Sequence, residues 1–342
     1  MVKKRGVPPW ILKYKGEIER REIKVEDVLE MENRLREKPI KISTVTRVIN
    51  AMGCSFAGLR RGEEKKIRVG VVGCGAIGSE ICKAIDGDED LGMELKFLID
   101  KHPERIERLY ESLGKKPDII KSDSSGLAKS LAAVDLVIEC ASQAAVREFV
   151  IPALKKGKEV MILSVGALLC VPGLFEEIES ISKEKGCKVY IPSGAVAGID
   201  GLKSGAIGGI HSVELTTRKP PLGFEGNKYV KEKGIDLLSI EKEKTLFMGH
   251  AMEAVKHFPE NVNVAASLSL AGIGSEATKV KIVADPSAAE NVHEIEVHGE
   301  FGKLFVRVEN VPSIANPKTS YLAALSAIAT LKSISYPIRV GT

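Results

Sequence analysis

No stretch of this sequence is apolar for long enough to cross a bilayer. The longest uncharged run, Val160 to Phe175, is shorter than the ~20 residues a spanning helix needs, and Gly166, Pro172 and Gly173 interrupt it. It reads as a buried strand plus loop, and no membrane association is expected. The basic start, MVKKRGVPPWILKYKGEIER, has no continuous apolar core and no small-residue cleavage site, so a cytoplasmic protein is expected. The six cysteines, at 54, 74, 82, 140, 170 and 187, form no CxxC pair and no zinc-like spacing, which points to reduced, mostly buried thiols. His211, His250 and His257 have no ligand spacing and no carboxylate cluster, so no metal is expected. No period repeats along the chain.

What is present is unevenly distributed. Residues 1–66 carry 17 Lys or Arg against 10 Asp or Glu, whereas the remainder carries 33 against 36. The basic segment contains two helically patterned stretches, KVEDVLEMENRLREK and ISTVTRVINAM, separated by Pro39. Two short helices and a turn with net positive charge permit nucleic-acid binding through residues 1–66. An extension that packs on the main body or on another subunit is the plainer reading.

From Ile67 apolar strands alternate with helical stretches, the pattern of a parallel α/β sheet. The expected architecture is a Rossmann-type doubly wound sheet over 67–192, then an α+β mixed-sheet catalytic and dimerisation domain over 193–315. A C-terminal helix within 316–342 is expected to pack back on the first domain. VGVVGCGAIGSEI places Gly73, Gly75 and Gly78 in G-x-G-x-x-G spacing after a strand and at the start of a helix, with Ala76 and Ile77 between the last two. Such a turn brings backbone N–H groups at a helix N-terminus up to a pyrophosphate. Asp100, at the end of the next strand, is placed to accept hydrogen bonds from ribose hydroxyls and to disfavour a 2′-phosphate, though Lys101 and His102 soften that exclusion. NAD or NADP is the expected cofactor. IECASQAAV brings Ala141 and Ser142 to the carboxyl edge of the sheet beside the same crevice, and ILSVGAL does so on a later strand.

In the strand-rich half, AENVHEIEVHGE puts Glu294, Glu296 and His298 on one face and His293, Ile295 and Val297 on the other. A metal pair of His293 and His298 fails because they face opposite ways. His293 then reads as a catalytic group facing a cleft or as a hydrogen-bonded core histidine.

The series GCGAIG, ECAS, PSGAVAGID, TTRKPP, FPENVNVAA, VADP, NVHEI and NPKTSYLAALS, in this order, resembles the L-aspartate dehydrogenase family over about residues 67 to 335. The resemblance implies oxidation of L-aspartate to iminoaspartate with NAD or NADP, often feeding NAD biosynthesis. It also implies nicotinamide-cofactor contacts at Ala197 and Asn263 and the active-site role at His293, which as an imidazole suits proton transfer near neutral pH. The substrate's two carboxylates need cationic or N–H partners. Lys318, Thr319 and Ser320, expected at a helix start, qualify, as do Arg218 and Lys219. A homodimer is expected. The alternatives are a related oxidoreductase on another small substrate, or a nucleotide-sensing regulator with a DNA-binding N-terminus; the N-terminal extension departs from the family pattern.

Overall fold

Six short runs rich in Val, Ile and Leu pair into one parallel sheet: β1 (Ile67–Val72), β2 (Met93–Ile99), β3 (Ile119–Lys121), β4 (Leu136–Glu139), β5 (Glu159–Ile162) and β6 (Val189–Tyr190). Their order, β3-β2-β1-β4-β5-β6, is that of a doubly wound dinucleotide-binding sheet. The computed structural model describes residues 66–258, 262–313 and 316–341, without the side chains of 262 and 316–318. The two stretches expected to be helical within residues 1–66, and the nucleic-acid reading attached to them, lie outside the described residues.

The strands are apolar on both faces because helices cover both. On one face α1 (Ala76–Gly87) and α2 (Pro103–Ser112) bury Ile81, Ile85, Ile106 and Leu109 against Val69, Val71 and Leu98. The other face is covered by the helical run of Gln143–Ala145, Val146–Val150 and Ile151–Lys155, whose middle segment is a wider turn. Beside it lies the helix Leu174–Lys185, which contributes Leu174 and Ile178. Strand order reverses between β1 and β4, so the loops leaving their carboxyl ends diverge and open a crevice.

The second sheet, in the order β11-β10-β7-β9-β8, is built from β7 (Ile210–Lys219), β8 (Lys244–His250), β9 (Lys279–Ala284), β10 (Asn291–Gly299) and β11 (Gly302–Asn310). It is mixed: β7 and β9 run parallel, and the other neighbours antiparallel. Val213, Leu215, Ile295 and Val297 face a core shared with α3 (Ile199–Gly208) and α4 (Val262–Ala271). The last helix, α5 (Tyr321–Ser335), packs against α1, and its Ala327 and Leu331 are buried in the first sheet's core.

Several local readings needed correction. Strand β3 and the helix Leu127–Ala132 gave no clear pattern in the sequence. Residues Ala167–Cys170 form a helical turn inside the run read as strand plus loop. Helix α3 also gave no clear pattern in the sequence. Lys318 and Thr319 belong to a short strand, Asn316–Ser320, and not to a helix start, because α5 begins only at Tyr321. No described helix is long and apolar enough to cross a membrane.

Candidate active site

The glycine turn divides its work among three positions. Gly73 sits at φ +104°, and a Cβ there would lie 2.6 Å from the Cys140 carbonyl at the end of β4. A Cβ at Gly78 would lie 1.9 Å from the Gly73 carbonyl, so glycine lets α1 close onto the turn. Nothing stands within 4 Å of a Cβ at Gly75. That open space at the N-terminus of α1, bordered by backbone N–H groups, is where a pyrophosphate fits.

Asp100 is 7% exposed, and its carboxylate accepts from the Cys74 N–H at 2.7 Å and the His102 N–H at 2.9 Å. It therefore ties the glycine turn to the loop after β2. Glu139 does the corresponding work for β4 and β5. Wholly buried, it accepts from the N–H groups of Ala141, Ser142 and Ser164 and from the Ser164 hydroxyl at 2.8–3.1 Å. Desolvation pushes its carboxyl upward, against the pull of these donors. Asn263 Oδ1 accepts from the Gly166 N–H at 2.9 Å, which fastens α4 to the loop after β5.

A cavity of about 180 Å³ lies where these pieces meet the second sheet. Ile77, Leu163 and Val165 line it from the first sheet; Lys219, Asn291 and His293 from the second; Asn263 and Ser267 from α4; and Thr319 and Ser320 from the segment before α5. His293 is opposite Thr217 in the β7–β10 register, and Thr217 Oγ1 lies 3.0 Å from its Nδ1. That bond fixes the ring and leaves Nε2 as its second nitrogen. Burial lowers the imidazole from 6.5 to about 4, and the Lys219 ammonium adds to the lowering. The expected near-neutral titration is thus not that of the ligand-free site. His293 is the neutral, proton-accepting form at pH 7.

Strand alternation separates the two cations of TTRKPP. Lys219, two residues beyond Thr217, faces the cavity and is 9% exposed. Arg218 turns to the opposite face of the sheet, where it pairs with Glu294 at 2.8 Å and Glu243 at 2.5 Å. The Ser320 hydroxyl donates to Asn310 Oδ1 at 2.6 Å, and Asn310 Nδ2 donates to the Ala195 carbonyl at 3.1 Å. A buried seam therefore holds the cavity wall together.

Of the residues singled out in the sequence, Ile77, Lys219, Asn263, His293, Thr319 and Ser320 converge on this cavity. Gly75 and Ala76 border a second cavity between α1 and α2. Ala141, Ser142 and Ala197 are exposed and line neither, and the Lys318 side chain is outside the described residues. Sequence reasoning missed Thr217, Asn291 and Ser267. Thr217 was within reach, since alternation along β7 puts it on the face of Lys219. The pairing of β7 with β10 that brings it to His293 leaves no mark in a single sequence. No group of three or more potential metal ligands occurs among the described residues.

Residues 73–192 match the family described as homoserine dehydrogenase, NAD binding domain, and residues 200–334 match aspartate dehydrogenase, C-terminal. The chain is 55% identical over 277 residues to L-aspartate dehydrogenase of Methanosarcina acetivorans, covering 81% of this chain and 100% of that one. It is 46% identical to the same enzyme of Methanocella arvoryzae, over 80% of this chain and 99% of the relative. The crystal structure of aspartate dehydrogenase from Thermotoga maritima superposes with a TM-score of 0.61 at 28% identity, over 80% of this chain and 99% of that one. A homoserine dehydrogenase from Thiobacillus denitrificans, at 14% identity and TM-score 0.53, over 79% of this chain and 73% of that one, shares the fold.

Proposed function

This chain belongs to the L-aspartate dehydrogenase family, and we propose that His293 is the base and Lys219 a carboxylate anchor in its NAD(P)-dependent oxidation of L-aspartate to iminoaspartate. The observation that carries the assignment is the convergence of a buried neutral imidazole, a buried ammonium and the end of the glycine turn on one cavity.

Gly73, Gly75 and Gly78 with the N-terminus of α1 would hold the pyrophosphate, and Ile77, Leu163 and Val165 would border the nicotinamide. When bound, the nicotinamide accepts the hydride that leaves the substrate Cα. His293 Nε2 takes a proton from the substrate nitrogen, while Thr217 holds the ring through Nδ1. Lys219 meets one carboxylate, and Thr319 and Ser320 line the wall beside the other. Burial is the main cause that lowers His293; an anion on Lys219 offsets the smaller, electrostatic one, so the base strengthens when substrate is in place. Asn263, by holding the Gly166 N–H, keeps the loop after β5 against the cavity.

The reading extends to a cytoplasmic homodimer whose domains divide near residues 192 and 315. Support for the dimer comes from the outward face of the second sheet, where strand register aligns exposed Met248 and Phe305 with Glu294 and Glu296. Sedimentation of the purified chain tests it.

The catalytic assignment is tested by following reduced nicotinamide formation with L-aspartate. His293→Gln is expected to lower kcat by about 100-fold or more while dinucleotide binding is retained. A loss of only a few-fold would show that another group takes the proton.

A further inference from the structure

The mechanism leaves one large feature unused. A cavity of about 470 Å³ lies between α1 and α2 beside the glycine turn, with Gly75 and Ala76 at its border. Its lining is cationic: Lys83 comes from α1 and Arg105 and Arg108 from α2, with Glu80 as the carboxylate among them. Arg105 and Arg108 are three residues apart on one helix, hence on one face, and buried Ile106 and Leu109 pin that helix to the sheet. Among the described residues neither guanidinium is held in an ion pair, while Lys83 has only a 3.8 Å contact with Glu80. The charge of Arg105 reaches as far as the Cys74 thiol, inside the glycine turn.

An acidic residue after β2 ordinarily excludes a 2′-phosphate by facing the ribose. Here the Asp100 carboxylate is buried on the Cys74 and His102 N–H groups and does not line this cavity. What faces the space next to the turn is a pair of guanidiniums, the group best shaped to bind phosphate through two parallel N–H bonds. We infer that this cavity receives the 2′-phosphate of NADP, with Arg105 and Arg108 as its clamp, and that the enzyme prefers NADP to NAD.

The inference rests on the reading of the glycine turn as the dinucleotide site, and the experiment separates the two. Titration calorimetry of the full chain compares adenosine 2′,5′-bisphosphate with AMP, which lacks the 2′-phosphate. The bisphosphate is expected to bind about tenfold tighter or more, as charge-assisted hydrogen bonds allow. In the double variant Arg105→Gln, Arg108→Gln that advantage should shrink to about threefold or less, with AMP affinity unchanged. Both arginines are exposed, so the variant is expected to fold, and its retained AMP binding reports that directly. Equal binding of the two nucleotides by the wild type overturns the clamp, as does a variant that weakens both alike. If aspartate is still oxidised in either case, the dinucleotide reading survives. Absence of nucleotide binding together with absence of turnover removes both.

Discussion

A histidine that is 4% exposed, hydrogen-bonded to a buried threonine and lowered to about 4 is neutral across the physiological range. Its folded value lies below the unfolded 6.5, so the unfolded chain takes up the proton first as pH falls. Stability linked to His293 is complete above 6.5 and is lost as pH falls toward about 4, by up to about 3 kcal/mol. Denaturant unfolding at several pH values should show this slope, and His293→Gln should flatten it. Lys219→Met removes a charge that depresses the imidazole, so the His293 resonance should titrate closer to 6.5 in NMR. The same change should raise the KM for aspartate by about tenfold or more, because a charge-assisted bond to substrate is lost. An unchanged KM would place the carboxylate elsewhere on the wall. His293 was legible because it sits on an apolar face within a recognisable motif. The choice between Arg218 and Lys219 was not, since it depends on which face of β7 meets the cavity.

At the scale of elements, the turn between β1 and α1 has almost no slack. Gly78→Ala would drive a Cβ into the Gly73 carbonyl and to 2.9 Å from Cys140 Sγ, so α1 must shift from the strand it packs on. Nucleotide affinity is expected to fall by about tenfold or more, whereas Gly75→Ala leaves the fold intact and obstructs only the ligand's space. Calorimetry with NAD, paired with thermal unfolding, distinguishes the two outcomes. Glu139→Gln replaces an acceptor of four donors by an amide whose NH₂ must face some of them. A loss of roughly 1–3 kcal/mol is expected, with a lower kcat as the loops after β4 and β5 loosen. The longer strands were readable because burial imposes either an apolar run or alternation, which the three residues of β3 are too few to show. Helix α3 was obscured by its glycines. Gly205 is there because the Phe301 ring lies where its Cβ would go, at 2.5 Å, a tertiary contact with no local signature. That Arg105 and Arg108 stand beside α1 likewise depends on how the two helices pack on the sheet, which leaves no mark in the local sequence.

Over the whole molecule, the first sheet does not complete its own core. Ala327 and Leu331 of α5 fill the face that also buries Ile81, Cys82 and Ile85, and Ser326 Oγ accepts from the Gly194 N–H at 3.0 Å. Leu331→Ala is expected to cost about 2–5 kcal/mol, to be read from denaturant unfolding, and to weaken nucleotide binding although it lies far along the chain from the glycine turn. An isolated 67–192 fragment should for the same reason expose apolar surface and bind a hydrophobic dye, which the full chain should not. The crossing-back helix also bears on synthesis. The ribosome finishes the nucleotide-binding strands well before residues 321–335 emerge, so the α1 face must wait, uncovered, through translation of the entire second sheet. A chain stalled in that interval carries a ready site for chaperones or for aggregation, and pausing between residues 193 and 320 should lower soluble yield more than pausing before residue 67.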